Sequence, residues 1–292
     1  MATETSALVA LSNDVAATVE RVAPSVVAVE ARSRLGSTGF FVHPTLILTA
    51  DHALESDEVE IVRADGKSET ATIAGRDPST DIALLRVEKP GEPLEFAKGD
   101  TLRVGAIVLA VARDDDGDLA ASMGVLSAVG PAWRTWQGGE IDRFVRPDLS
   151  LYPRFSGSPL VDVEGKIIGL NTGGLSRRQT LTVPAATILR VTAALHEKGG
   201  RLPRGYLGIA LQGVSGGAIV LGIEPASPAD KAGLIVGDVI VKLGDAAIGD
   251  AGDLHRELGA DSVGKPVRLS ILRGGAPREL EVVVGERSED HR

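Results

Sequence analysis

Three residues of this chain, His52, Asp81 and Ser156, follow one another in an order that suits acyl transfer. A serine hydroxyl is a poor nucleophile until an imidazole within hydrogen-bond reach takes its proton. The imidazole in turn needs a carboxylate that fixes its tautomer and stabilises the imidazolium. The local contexts fit these roles: Leu48-Thr49-Ala50-Asp51-His52, Ser79-Thr80-Asp81-Ile82-Ala83-Leu84-Leu85 and Phe155-Ser156-Gly157-Ser158-Pro159-Leu160. Each residue alone has a plainer explanation. A histidine after an apolar strand is ordinarily a loop or core residue, and an aspartate before one is a turn residue. Ser-Gly-Ser-Pro makes a turn for backbone reasons alone. Their order and contexts together predict a Ser–His–Asp hydrolase.

The elements that must carry these residues are mostly strands. Asn13 or Asp14 can cap a short helix with Val15, Val19 and Val22 on one face, stopped by Pro24. From there to about residue 183, short β-branched runs alternate with turn residues: Ser25–Val29, Gly39–Val42, Leu46–Thr49, Val59–Val62, Ala71–Ala74, Ile82–Val87 and Ala106–Val111. Ser158–Val163 and Lys166–Asn171 flank Glu164-Gly165, a hairpin turn. Strands at this spacing predict an antiparallel barrel or sandwich. Pro184 opens a helix ended by Gly199-Gly200, and residues 201–205 form a hinge. Beyond it lies a compact β-rich module: strands over Tyr206–Leu211, Ala218–Ile223, Asp238–Leu243, Pro266–Leu272 and Glu279–Val284, with helices near Pro228–Ala232 and Asp250–Leu258.

Composition sets the bounds. The 292 residues accommodate two domains, and 43% apolar with 24% charged residues is ordinary for a globular chain. Aromatic residues make up only 3%, so aliphatic side chains must build the cores. A net charge of −9 argues against a surface that tracks phosphates, so no nucleic-acid partner is expected. The absence of cysteine removes disulfides, thiolate catalysis and Cys-ligated zinc. The start lacks a basic segment followed by an apolar one, and no run approaches the ~18 apolar residues needed to span a bilayer. The expectation is a cytoplasmic protein, or a periplasmic one if a leader was removed.

With these motifs in view, the chain resembles a trypsin-fold serine protease of the HtrA (DegP-like) family carrying one PDZ domain. The resemblance rests on Gly36-Ser37-Thr38-Gly39-Phe40, Ile47–His52, Asp77–Leu85, Leu102-Arg103-Val104-Gly105, Gly124–Ala128 and Ser156–Thr172. In the second part it rests on Gly205-Tyr206-Leu207-Gly208-Ile209, Ser227–Leu234 and Gly237-Asp238-Val239-Ile240. It implies a mainly β protein, with a trypsin-like double β-barrel over residues 14–200 followed by a PDZ domain over 203–286. Ser156 would be the nucleophile, His52 the general base and then acid, and Asp81 the group that orients His52. The backbone N–H groups of Ser156 and Arg154 would hold the oxyanion.

The nucleophile loop departs from the family pattern. Gly-Asn-Ser-Gly-Gly-Pro is typical, whereas this chain has Arg154-Phe155-Ser156-Gly157-Ser158-Pro159. If the active loop needs a left-handed or otherwise glycine-favouring backbone at Arg154, a side chain there costs on the order of 1–2 kcal/mol, so the departure predicts a slow or conditional enzyme. The alternative is a pseudoprotease that binds peptides without turning them over.

The resemblance also implies a substrate cleft at Ser150, Asn171, Thr172 and Gly173. Ser150 occupies the position where an acidic residue would select basic substrates, so small or medium aliphatic side chains are expected there. Tyr206, Leu207, Gly208 and Ile209 would receive a peptide C-terminus by strand addition, with Leu254 and Leu258 beside the groove or, equally, in the core. Partners would be unfolded or peptide substrates and peptide C-termini, and the family commonly forms homotrimers.

Other motifs carry less. Gly213-Val214-Ser215-Gly216-Gly217 fits a hydrolase elbow, but a strand follows it where an elbow needs a helix. Asp114–Asp118 lacks the ligand spacing of a calcium loop. The histidines show no metal-pair spacing, so no metal or other cofactor is expected.

Overall fold

The computed structural model describes residues 6–30, 36–56, 58–99, 102–114, 116–176, 179–200, 202, 205–259 and 262–286. The chain forms two compact units, with the main division between residues 201 and 202.

The first unit begins with helix α1 (Ala7–Val22). It starts well before the expected cap, so Asn13 and Asp14 lie inside it, and Ser6 occupies the cap position without a side-chain bond. Ala- and Leu-rich sequence sustains the extra turns by propensity rather than burial, since Leu8, Val9 and Leu11 stay exposed. Strands β1 (Val26–Glu30), β2 (Ser37–His43), β3 (Leu46–Thr49), β4 (Glu58–Val62), β5 (Ser68–Asp77) and β6 (Ile82–Arg86) close an antiparallel barrel in the order β1-β2-β3-β6-β5-β4. Val27, Val29, Phe41, Ile47, Ile61 and Leu85 fill its interior.

The second half of this unit contains β7 (Ile107–Arg113), β8 (Leu119–Gly130), the short pair β9 (Trp133–Arg134) and β10 (Glu140–Ile141), then β11 (Phe144–Asp148), β12 (Pro159–Val161), β13 (Ile167–Thr172) and β14 (Leu181–Pro184). Six of them form a sheet in the order β11-β8-β7-β12-β13-β14, and its two end strands approach each other. Phe155 packs into the core of this half with Val108, Ala110, Leu126 and Leu160. Helix α2 (Ala185–Glu197) follows, with Pro184 at its cap.

In the second unit the expected first strand is two: β15 (Gly205–Tyr206), paired with β22 (Gly285–Glu286), and β16 (Ile209–Val214). Leu207-Gly208 breaks it, because Gly208 has φ +76° and a Cβ there would lie 2.3 Å from the Ser227 Cβ. The remaining elements are β17 (Gly217–Ile223), α3 (Pro228–Lys231), β18 (Val239–Leu243), β19 (Ala246–Ala247), α4 (Ala251–Glu257), β20 (Pro266–Arg273) and β21 (Ala276–Val283). The sheet runs β16-β17-β18-β20-β21, which places β16 at an edge.

Candidate active site

Asp81 is delivered by the turn between β5 and β6. Asp77, at the end of β5, accepts the Ser79 hydroxyl at 2.7 Å and the Thr80 hydroxyl at 2.8 Å, which bends the chain within two residues. Asp81 itself has φ +60°, a left-handed backbone that costs a side-chain-bearing residue on the order of 1–2 kcal/mol. Contacts with the other loop hold it there. The Asp81 carbonyl accepts the Asp51 N–H at 3.3 Å, and Oδ1 accepts the His52 N–H at 2.8 Å.

His52 stands on a 3₁₀ turn (Asp51–Ala53) that ends β3. The Asp51 carboxylate is buried and accepts Arg76 Nε at 2.5 Å, so the turn beside the imidazole is anchored to β5. His52 Nδ1 lies 2.7 Å from Asp81 Oδ2, and Nε2 lies 3.3 Å from Ser156 Oγ. A carboxylate can only accept, so Nδ1 carries the proton and the Nε2 lone pair faces the serine. The Asp81 side chain is 4% exposed against 32% for His52, so the carboxylate is shielded while the imidazole stays partly open to solvent.

Ser156 follows a 3₁₀ turn over Pro153–Phe155. The Phe155 N–H donates to the Tyr152 carbonyl at 2.9 Å, and the buried Phe155 ring anchors the turn. Gly157 has φ +84°, and a Cβ there would meet the Thr38 carbonyl at 2.1 Å. Among the described residues only Asp81 and Ala226 combine a side chain with positive φ. Arg154 and Ser158 therefore carry no left-handed strain in this conformation. Ser158 instead uses its side chain: Oγ accepts Asn171 Nδ2 at 3.1 Å. A 3₁₀ turn directs each carbonyl toward the N–H three residues on, so the Pro153 carbonyl is directed toward the Ser156 N–H.

Two contributors were not foreseen in these roles. The Thr172 hydroxyl donates to Asp81 Oδ2. Gly174 lies against the pair, where a Cβ would come 2.5 Å from Asp81 Oδ2 and 2.6 Å from His52 Nδ1. The four residues expected at the cleft separate accordingly. Asn171 and Thr172 have buried side chains turned inward, whereas Ser150 and Gly173 are exposed. The Gly173 N–H also donates to Ser156 Oγ at 3.3 Å. No signal in the sequence distinguished the two pairs, because Asn171 and Thr172 are held inward by contacts with Ser158 and Asp81 that no local pattern encodes. Among the described residues no group of three or more His, Asp or Glu side chains is placed to hold a metal.

Residues 37–170 match the trypsin-like peptidase domain, and residues 205–284 match the PDZ domain. A probable periplasmic serine endoprotease DegP-like of Ectopseudomonas mendocina (strain ymp) is 32% identical over 281 residues, covering 89% of this chain and 58% of that protein. The chain joins a trypsin-like peptidase domain to a PDZ domain and is similar to the HtrA (DegP-like) serine endoproteases. The serine endoprotease from Yersinia pestis superposes on this chain with a TM-score of 0.71 at 26% identity, covering 94% of this chain and 98% of that one. The HtrA-type protease AlgW with tripeptide gives 0.66 at 26% identity, covering 94% and 97%. The chain spans a little over half the length of the curated relatives it matches, 58% for the first. Those relatives are named periplasmic, so the cytoplasmic expectation has no support among them. No described helix is long and apolar enough to cross a membrane.

In the PDZ unit, the Leu207 carbonyl accepts the Ala229 N–H at 2.9 Å and the Gly208 carbonyl accepts the Glu224 N–H at 2.8 Å. In a trans peptide the N–H points opposite to the carbonyl, so the Gly208 and Ile209 N–H groups are directed away from both partners. Tyr206 is tied through its hydroxyl to Glu224. Ile209 and Leu211 are partly buried on edge strand β16, while Leu254 and Leu258 are 3% and 5% exposed within the core.

Proposed function

We propose that this chain is an ATP-independent serine endopeptidase that cleaves unfolded or exposed protein segments, with a second unit that binds peptide C-termini. The hydrogen-bonded series Asp81–His52–Ser156 carries the reading. His52 takes the Ser156 proton at Nε2 as Oγ attacks a peptide carbonyl, and Asp81 stabilises the imidazolium. His52 then returns the proton to the leaving amine, and water repeats the sequence on the acyl-enzyme. The oxyanion is received by the N–H groups of Ser156 and Arg154 once the 153–154 peptide turns the Pro153 carbonyl away. That required turn supports conditional activity.

Gly173 and its exposed backbone offer an edge for substrate pairing, and Ser150 in place of an acidic residue supports uncharged side chains in the primary pocket. In the second unit a peptide adds to the free edge of β16, its carboxylate held by the Gly208 and Ile209 N–H groups. The names of the relatives support a periplasmic location, and the family supports a homotrimer, which the mass in solution tests. The Pro153 carbonyl facing Ser156 favours a second reading, a peptide-binding protein without turnover. Hydrolysis of unfolded casein separates the two. Cleavage by the wild type that Ser156→Ala abolishes supports the protease, and equal, background rates for both proteins overturn it.

A further inference from the structure

We propose that Thr38 is a positioning residue for the nucleophile, acting through the peptide that joins Arg154 to Phe155. The inference rests on the protease reading above and adds a residue that touches neither substrate nor the reacting atoms. Thr38 lies on β2 in the first barrel and is fully buried. All three of its polar groups serve the site. Its N–H donates to the Ser156 carbonyl at 3.0 Å, and its carbonyl accepts the Thr49 hydroxyl at 2.8 Å. Its hydroxyl donates to the Arg154 carbonyl at 2.8 Å.

The direction of that last proton follows from its surroundings. The Arg113 N–H reaches the Thr38 hydroxyl oxygen at 3.3 Å and can only donate, so it occupies a lone pair. Two carbonyls compete for the hydroxyl proton, Arg154 at 2.8 Å and Arg113 at 3.5 Å, and the shorter bond wins. Arg113 is itself fixed: Nε donates to the Val26 carbonyl at 3.0 Å and Nη2 to the Ala23 carbonyl at 2.9 Å. The Thr38 hydroxyl thus joins the first barrel, β7 and the nucleophile loop.

The 154–155 peptide is held at both ends, its carbonyl by Thr38 and its N–H by the Tyr152 carbonyl. The backbone on either side of Ser156 is therefore set from β2, at Arg154 and at Ser156 itself. Reorientation of the loop to receive an oxyanion is confined to the 153–154 peptide, and Ser156 Oγ keeps its place near His52 while it occurs. Loss of the hydroxyl frees the 154–155 peptide to rotate and blurs both placements. The penalty falls on the chemical step rather than on substrate binding.

The test compares wild type, Thr38→Val, Thr38→Ala, Thr38→Ser and Ser156→Ala in hydrolysis of a chromogenic peptide, with a thermal melt of each. Valine keeps the volume and removes the hydroxyl, alanine leaves room for water and covers the case in which valine does not fold, and serine restores the hydroxyl. The expected result is a kcat lowered about 10²-fold in the hydroxyl-free variants with KM changed less than about twofold, and a kcat in Thr38→Ser within about threefold of wild type. A folded hydroxyl-free variant with wild-type kcat overturns the inference. So does a loss in Thr38→Ser equal to that in Thr38→Ala, which would mark the methyl group and packing as the cause. A wild type no faster than Ser156→Ala overturns the protease reading itself, and this inference with it.

Discussion

Thr172 and His52 share one oxygen of Asp81: the Thr172 hydroxyl and His52 Nδ1 both reach Oδ2. The carboxylate is thus fixed from two elements, the 3₁₀ turn after β3 and the end of β13. A hydrogen bond to a charged group contributes about 1.5–3 kcal/mol. Thr172→Val is expected to lower kcat by about 10- to 100-fold with little change in KM. Steady-state kinetics on a peptide substrate checks this, and an unchanged kcat removes Thr172 from the machinery.

Gly174 limits how closely the chain can pass behind the same pair. An added Cβ at 2.5–2.6 Å from Asp81 Oδ2 and His52 Nδ1 forces either the backbone or the carboxylate to move. Gly174→Ala is expected to cost about 10²-fold in kcat, since displacements near 1 Å carry penalties of that size. A variant with full activity would mean that the backbone yields without disturbing the pair.

Arg154→Gly tests the turn beside Ser156. Arginine is unstrained in the 3₁₀ conformation, so glycine relieves nothing there. Glycine instead makes a left-handed alternative cheaper by on the order of 1–2 kcal/mol. Turnover is expected to rise by up to about 10-fold with the fold unchanged by circular dichroism. A decreased kcat would show that the arginine side chain, or the turn it favours, assists the reaction.

In the second unit, Asp238 is fully buried and Arg273 grips it twice, Nε on Oδ1 and Nη2 on Oδ2, each at 2.8 Å. The Arg273 guanidinium, helped by the Ile235 N–H, holds the Asp238 carboxyl below its ordinary value of 3.8 against the opposing effect of burial. A depressed acid stabilises the fold above its unfolded value, and that contribution disappears as pH falls through the folded one. Asp238→Asn is therefore expected to lower the melting temperature of the unit at pH 7, by a difference that shrinks as the pH is taken below 3.8. Melts of the full chain at pH 7 and at a series of pH values below 3.8 check this, and a difference independent of pH would assign the effect to packing.

Short motifs made much of the site legible. Leu46–Thr49 is a strand with the expected bounds, and the three candidate residues converge because each motif encodes its own turn. Other parts were hidden for physical reasons. Strand β8 is built from Ala, Ser and Gly as well as Val and Leu, because positions such as Gly124 pack directly on the Asp148 carbonyl, 1.9 Å from where a Cβ would be. Strand β11 contains Pro147, which reads as a breaker and sits where its register with β8 shifts. Thr172, Gly174 and Thr38 act through contacts between distant parts of the chain, which no local pattern announces.

The central claim is that His52 activates Ser156 as a nucleophile. Labelling with a fluorophosphonate probe, followed by mass-spectrometric mapping of the modified peptide, tests it most directly. The account predicts one modified residue, Ser156, with labelling abolished in Ser156→Ala and strongly slowed in His52→Ala. Absence of labelling at Ser156, even with unfolded protein and a C-terminal peptide present, would contradict it.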